Sequence, residues 1–219
     1  LEISSQVVGL LNESILPRVE PALTYLAQIY KKNTEDFEKL PDLIKYKHNQ
    51  VFNMSGFAAP KLDKVRVGVI GLGMRGPGAV SRLSKIENVE IKALCDLLPE
   101  RVDKVAASLK GTIHHPEKYS GSAYSWKKMI DRDDLDLIYI ATPWDWHTPM
   151  AVFAMESGKH AAVEVPAART LEECWQLVQT SEKTKKHCMM LENCCYDFFE
   201  LMTLNMARDG FFGEVIHGE

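Results

Sequence analysis

Residues 65–76 read VRVGVIGLGMRG, a short apolar run that passes directly into three spaced glycines. The run is typical of a strand buried on both faces, and the segment after it, GPGAVSRLSKI, indicates a helix with a proline in its first turn. Gly71, Gly73 and Gly76 therefore form a G-x-G-x-x-G between a strand and a helix. In this motif the first glycine permits a tight turn, the second lets the backbone approach a pyrophosphate, and the third lets helix and strand pack closely. The stretch predicts a dinucleotide-binding α/β fold.

An acidic residue occupies the end of the second predicted strand, the position at which a dinucleotide-binding fold binds the ribose. Asp96 ends the second apolar run, VEIKALCD, 20 residues after Gly76. A carboxylate at this place accepts hydrogen bonds from the adenosine ribose hydroxyls of NAD, and its charge repels the additional 2′-phosphate of NADP. NAD is therefore the predicted cofactor. Met74 and Arg75 lie inside the phosphate turn, where Arg75 is expected either to pair with phosphate or substrate or to be solvated at the surface.

From Val65 onward, apolar strands alternate with helices, which predicts a Rossmann-type doubly wound parallel sheet in an NAD-binding domain over residues 61–195. The expected strands span 65–70, 89–96, 135–143, 160–166 and 187–193. The expected helices span 76–86, 99–109, 148–158 and 171–185. Thr148 is expected to start the third helix, and Thr170 with Glu173 forms a capping box for the fourth.

The two ends of the chain have different patterns. Residues 1–60 contain Leu23, Leu26 and Ile29 at helical spacing, followed by a linker, and we interpret them as a helical N-terminal extension without chemistry of its own. Residues 196–219 predict a helix, a stop at Gly210 and the opening of a strand. We interpret this segment as the start of a second, C-terminal α+β domain that binds substrate.

The composition excludes several classes of partner. The 219 residues include 26 Lys and Arg against 30 Asp and Glu, a net charge of −4, so the chain lacks the basic excess that a nucleic acid requires. No apolar run approaches the ~20 residues that cross a bilayer.

The five cysteines form no C-x-x-C pair and are interpreted as reduced and structural. His114 and His115 have no further ligand at metal-binding spacing, and no metal site is predicted.

A second cluster, TPWDWH, spans Thr142 to His147 at the carboxyl end of a predicted strand, the edge where open α/β sheets bind ligands. Trp144 and Trp146 are expected to wall a nicotinamide or sugar face, with core packing left open for one of them. His147 is expected either in the site or as a cap of the following helix. Glu164 ends another strand, where a buried carboxylate is costly unless something binds it.

GLGMRG, Asp96, ATPWDWH and EVP, in this order, resemble the Gfo/Idh/MocA oxidoreductases over about residues 65–219. That family joins a nucleotide-binding domain to a largely antiparallel C-terminal sheet domain. EVP occupies the place where the family usually has Glu-Lys-Pro, whose lysine lies next to the nicotinamide and takes part in proton transfer with the substrate hydroxyl. Val165 cannot ionise, so the usual acid/base group of sugar and polyol dehydrogenation is missing.

Together, GLGMRG, TPWDWH, VEVPAA and ENCCY resemble the branch of NAD-dependent α-N-acetylgalactosaminidases, glycoside hydrolase family 109. The resemblance implies cleavage of an α-N-acetylgalactosaminide by transient oxidation at C3, elimination, water addition and re-reduction. It also implies that Tyr196 faces the sugar, and Tyr196 and His147 are the predicted catalytic residues. The predicted cofactor site consists of Gly71, Gly73, Met74, Arg75, Gly76, Asp96, Thr142, Trp144, Asp145, Trp146, His147, Glu164, Val165 and Asn193.

Two other functions remain open at the level of sequence. The first is an NAD-dependent sugar or polyol dehydrogenase in which a histidine or tyrosine replaces the absent lysine. The second is an NAD-binding protein without catalysis. A homo-oligomer is plausible because the second domains of such proteins often pair. The expected compartment is the cytoplasm or, if an export signal was removed, the periplasm.

Overall fold

The computed structural model describes residues 50–214, and its centre is a six-stranded parallel sheet. The strands are β1 Val65–Ile70, β2 Val89–Cys95, β3 Glu117–Tyr119, β4 Leu137–Ile140, β5 His160–Glu164 and β6 Cys188–Leu191. Their order across the sheet is β3-β2-β1-β4-β5-β6, and every neighbouring pair is parallel. This is the order of a doubly wound dinucleotide-binding sheet, which reverses direction between β1 and β4. The predicted fold class is confirmed for this part of the chain.

Helices connect the strands and follow the last one. They are α1 Gly76–Leu83, α2 Pro99–Ser108, α3 Ser125–Ile130, α4 His147–Glu156, α5 Leu171–Thr184 and α6 Phe198–Arg208. Short 3₁₀ turns occupy Trp144–Trp146 and Cys194–Tyr196. Within residues 50–214, no helix is both long and apolar enough to cross a membrane.

Both faces of the sheet are covered, which explains the continuous apolar runs of the central strands. Successive side chains of a strand point to opposite faces, so Val69 packs with Val80 of α1 while Ile70 packs with Met150 of α4. In β4, Tyr139 belongs to the α1 face and its neighbours belong to the α4 face. Burying one such aliphatic side chain contributes about 1.5–3 kcal/mol, and the sum fixes the strands that carry the site.

Several local expectations are confirmed and others need correction. The capping box of Thr170 and Glu173 is present, and Gly158 has a φ of +81° just beyond the end of α4. Helix α4 begins at His147, one residue before the expected start. Thr148 does not cap it, because its hydroxyl donates to the carbonyl of Ala167 at 3.0 Å. Strand β3 and helix α3 were not expected from the sequence.

The predicted terminal segments are described in part. The helical extension and the first part of the linker lie outside the described residues, as does the strand expected after residue 214. Residues 50–64 contain neither helix nor strand, as expected of a linker. Helix α6 lies where a helix was expected, and Gly210 follows it with a φ of +75°. The Phe198 and Phe199 side chains of this helix are exposed.

Candidate functional site

The turn after β1 uses its glycines for two different purposes. Gly71 has a φ of +89°, and a Cβ there would lie 2.5 Å from the carbonyl oxygen of Ala141. A Cβ on Gly76 would overlap the carbonyl oxygen of Gly71. A Cβ on Gly73 would instead meet only the tip of the Arg101 side chain, at 3.4 Å. The first and third glycines are therefore required by packing within the turn, whereas the second leaves a space in which a phosphate can approach the backbone.

Asp96 follows β2 and is 7% exposed. Its Oδ2 accepts from the amide of Leu72 at 2.7 Å, and its Oδ1 accepts from the amide of Leu98 at 3.0 Å. Each carboxylate oxygen can accept a further hydrogen bond, so capacity for ribose hydroxyls remains. The Arg101 guanidinium lies 3.7 Å from Oδ1. Sequence reasoning missed Arg101, although its place in the first turn of the helix after β2 was a usable signal.

One cavity of about 1000 Å³ extends along the carboxyl ends of the strands, across the point where the strand order reverses. Ligands of open α/β sheets bind at this place. Twelve of the predicted site residues line the cavity. They are Gly71, Gly73, Met74, Arg75, Asp96, Thr142, Trp144, Trp146, His147, Glu164, Val165 and Asn193.

Three predicted site residues lie outside the cavity lining. Gly76 is buried behind the turn, where it packs on Gly71. Asp145 is exposed and forms an ion pair with Arg169. Tyr196 is 60% exposed in the short 3₁₀ turn that follows β6. The structure thus brings the predicted cofactor-binding residues together, with these exceptions, and leaves Tyr196 at the surface.

His147 is 1% exposed, and both of its ring nitrogens face backbone carbonyl oxygens. Nε2 lies 2.8 Å from the oxygen of Thr142, and Nδ1 lies 2.7 Å from the oxygen of Pro166. A neutral ring has one N–H, so it donates to one of these oxygens at a time. The ring joins the end of β4 to the end of β5. Both nitrogens lie within hydrogen-bond distance of backbone carbonyl oxygens, and this geometry favours a positioning role over the predicted catalytic one.

The two tryptophans of TPWDWH have different environments. The sequence leaves core packing open for one of them, and it is Trp146 that packs inward. Trp144 is 60% exposed at the cavity. Trp146 is half-buried and packs edge-on against Trp126, with ring centroids 6.4 Å apart. Trp126 also lines the cavity and was missed by sequence reasoning. Its Nε1 is the one buried side-chain nitrogen or oxygen without a hydrogen-bond partner among residues 50–214.

Glu164 ends β5 and is 7% exposed. Its Oε1 accepts a 2.7 Å hydrogen bond from the hydroxyl of Tyr139, and its Oε2 lies 3.6 Å from Nε of Arg75. Burial, and then the hydrogen bond to Glu164, raise the pKa of Tyr139 to about 12. The carboxylate at the end of this buried strand is therefore bound by two protein groups and faces the cavity beside Val165.

The cysteines divide into buried and exposed ones, and all five are free thiols. Burial raises the pKa of Cys95 to about 12 and that of Cys188 to about 11, as expected for structural thiols. Cys194 and Cys195 are exposed in the 3₁₀ turn that follows β6. The described part of the chain contains no group of three or more His, Cys, Asp or Glu side chains placed to hold a metal ion.

The strand order, the glycine turn and the carboxylate after β2 define a dinucleotide-binding Rossmann domain. The chain belongs to the Gfo/Idh/MocA family, since the model of that family, described as an oxidoreductase family with an NAD-binding Rossmann fold, matches residues 65–192. The cofactor of this domain is NAD. The open space at Gly73 and the ribose-accepting capacity of Asp96 fit that cofactor.

Curated relatives give a more specific comparison. The chain is 62% identical over 161 residues to a glycosyl hydrolase family 109 protein from Porphyromonas gingivalis, covering 73% of this chain and 34% of the relative. It is 54% identical over 165 residues to an alpha-N-acetylgalactosaminidase from Bacteroides fragilis, covering 75% of this chain and 39% of that protein. The chain therefore spans little more than a third of the length of the curated relatives it matches.

A solved structure shows the same fold. Scyllo-inositol dehydrogenase from Lactobacillus casei, crystallised with NAD(H) and scyllo-inositol, matches with a TM-score of 0.62 at 19% identity. The match covers 69% of this chain and 43% of that one. At this identity the similarity concerns the fold alone.

Proposed function

We propose that the protein cleaves α-N-acetylgalactosaminides as an NAD-dependent glycosidase of family 109, by transient oxidation at C3, elimination, water addition and re-reduction. Its similarity to curated family 109 relatives supports the proposal. The observation that carries it is Val165, which lines the cavity beside Glu164 with an apolar side chain that is 41% exposed. A valine at this point cannot relay a proton between a substrate hydroxyl and solvent, as a dehydrogenase of the usual kind requires.

In this proposal the adenosine half and the nicotinamide half of NAD occupy opposite ends of the cavity. Asp96 accepts the hydroxyls of the adenosine ribose, and the backbone around Gly73 holds the phosphates. The nicotinamide half then lies at the opposite end, among the residues that follow β4, β5 and β6. These are Thr142, Trp144, Trp146, His147, Glu164, Val165 and Asn193.

When bound, NAD supplies a reversible hydride acceptor for C3 of the sugar. Oxidation of C3 to a ketone would also release its hydroxyl proton to a base. The ketone would acidify the hydrogen on C2, so that a modest base removes it as the C1–O bond breaks and the departing glycosidic oxygen takes up a proton. Water would then add its oxygen to C1 and a proton to C2 before C3 is reduced again. Trp144 offers an exposed aromatic face for the apolar side of the sugar ring. Tyr196 is the acid/base candidate and lies in the short 3₁₀ turn that follows Asn193. His147 fixes the geometry between the strand ends.

The test is an assay of the purified full-length protein with an α-N-acetylgalactosaminide in deuterated water. The proposal predicts release of N-acetylgalactosamine that carries deuterium at C2, without a net rise in NADH absorbance. The hydride that leaves C3 returns to it, and C2 alone exchanges with solvent. Stoichiometric NADH formation from a free sugar would instead identify a dehydrogenase. NAD binding without turnover of any glycoside or sugar would identify a protein without catalysis.

A further inference from the structure

The Glu164 carboxylate lines the cavity and also has two protein partners of its own. The side chain is nearly buried, and an isolated charge at such a position is strongly unfavourable. The described partners of the carboxylate are the Tyr139 hydroxyl at 2.7 Å and the Arg75 guanidinium at 3.6 Å. Arg75 is half exposed and its contact is long, so Tyr139 is the group that fixes the orientation of Glu164.

Tyr139 is placed to act through Glu164. It lies in β4, is 8% exposed and packs on the α1 face of the sheet, behind the cavity wall. Burial and the neighbouring carboxylate raise its pKa to about 12, with Arg82 opposing the rise. The phenol therefore remains a hydrogen-bond donor throughout the neutral range. Oε1 keeps one acceptor site beyond the bond from Tyr139, and Oε2, which faces Arg75 at 3.6 Å, keeps at least one for a ligand in the cavity.

We propose that Tyr139 is a positioning residue that holds the Glu164 carboxylate in one orientation toward the nicotinamide half of the cofactor. The inference deepens the proposed function and rests on its placement of NAD in the cavity. The adenosine end is held by Asp96 and the phosphates by the glycine turn, so loss of the Tyr139 hydroxyl affects neither. A group that serves only to stabilise the sheet would have no such selectivity.

The test is a double-mutant cycle of Tyr139→Phe and Glu164→Gln in the full-length protein, with NAD and ADP as ligands in isothermal titration. We expect Tyr139→Phe to weaken NAD binding by about tenfold, the equivalent of one lost hydrogen bond to a charged group. ADP lacks the nicotinamide ribose, and its affinity should change by less than about twofold. In the Glu164→Gln background, the effect of Tyr139→Phe on NAD should nearly disappear, because the two residues act as one unit.

Tyr119→Phe is the matched control, since it removes a hydroxyl that contacts Arg132 at 3.3 Å at the edge of the sheet. It should leave both affinities unchanged. Equal weakening of NAD and ADP by Tyr139→Phe, no weakening at all, or full persistence of the effect beside Glu164→Gln would overturn the proposal. If Tyr139→Phe does not fold, Glu164→Gln alone must weaken NAD and spare ADP, and unchanged NAD affinity refutes the role. None of these readouts depends on glycoside cleavage, so they separate this inference from the proposed activity.

Discussion

At the scale of single residues, the end of the cavity proposed to hold adenosine combines a carboxylate with a nearby guanidinium. Asp96 is held by two amides, and Arg101 approaches it from α2. The carboxylate favours NAD, because it accepts from ribose hydroxyls and repels a 2′-phosphate. The guanidinium would attract that phosphate if the carboxylate were neutral. The preference between the two dinucleotides therefore depends on the charge of Asp96.

Asp96→Asn should weaken NAD binding by about tenfold and bring the affinities for NADP and NAD closer together. The substitution removes the repulsion and leaves Arg101 free to pair with the 2′-phosphate. The ratio of the two dissociation constants is the measurement, because any general loss of stability cancels in it. Asp103→Asn is the control. Asp103 lies on α2, the helix that carries Arg101, and pairs with Lys118 at the surface. An unchanged ratio in Asp96→Asn would show that the carboxylate does not select the cofactor.

The residues found from sequence are those with a local signal. The glycines follow a strand at fixed spacing, and Asp96 ends the next strand, so both are visible in one chain. Tyr139 carries no such signal, because an aromatic residue within an apolar strand looks like any core residue. Its contact with Glu164 joins positions 25 residues apart and depends on the pairing of β4 with β5. Trp126 was missed for the same reason, since its place in the wall comes from packing on Trp146.

At the scale of helices and strands, two histidines lie in contact at the amino ends of the neighbouring strands β5 and β6. His160 and His187 stack with ring centroids 5.3 Å apart, and Nδ1 of His160 accepts from the amide of His187 at 2.9 Å. Burial lowers the pKa of His160, the positive charges of Lys186 and His187 lower it further, and Asp136 opposes them. The folded protein therefore binds a proton at His160 less readily than the unfolded chain does.

The free energy of unfolding should fall as the pH drops below about 6.5, the ordinary pKa of histidine, and continue to fall until the lowered folded pKa is passed. The unfolded chain takes up the proton first in this range, which fixes the sign. His160→Asn keeps an acceptor for the His187 amide and should flatten the dependence in thermal unfolding between about pH 7.5 and 5. His115→Asn, at an exposed position, should retain the slope of the original protein. A slope that is identical in His160→Asn would contradict the account.

Helices and strands were predictable from sequence where an apolar pattern is bounded by a glycine or a capping residue. Strand β1 and the capping box of α5 combine an apolar pattern with a glycine or a capping residue. Strand β3 has three residues, EKY, which is too short for any alternation to show. Helix α3 has six residues and lacks a side-chain cap. The start of α4 was misplaced because Thr148, a good capping residue, donates instead to the carbonyl of Ala167 in the loop after β5.

At the scale of the whole molecule, the carboxyl edge of the sheet brings together residues from the loops that follow all six strands. The reversal of strand order between β1 and β4 opens the cavity there, and the glycine turn lies at its centre. The strand order and the glycine turn therefore form the site in which we propose that the dinucleotide binds.

The central claim is that NAD lies against the backbone at Gly73, and a calorimetric titration of NAD tests it most directly. A Cβ at Gly73 meets only an arginine tip at 3.4 Å, and one at Gly78 meets another at 3.3 Å, so Gly73→Ala and Gly78→Ala are matched in local space. We predict that NAD binds the original protein and Gly78→Ala alike and is strongly weakened in Gly73→Ala without loss of thermal stability. Equal NAD binding by Gly73→Ala, or no binding by the original protein, would contradict the account.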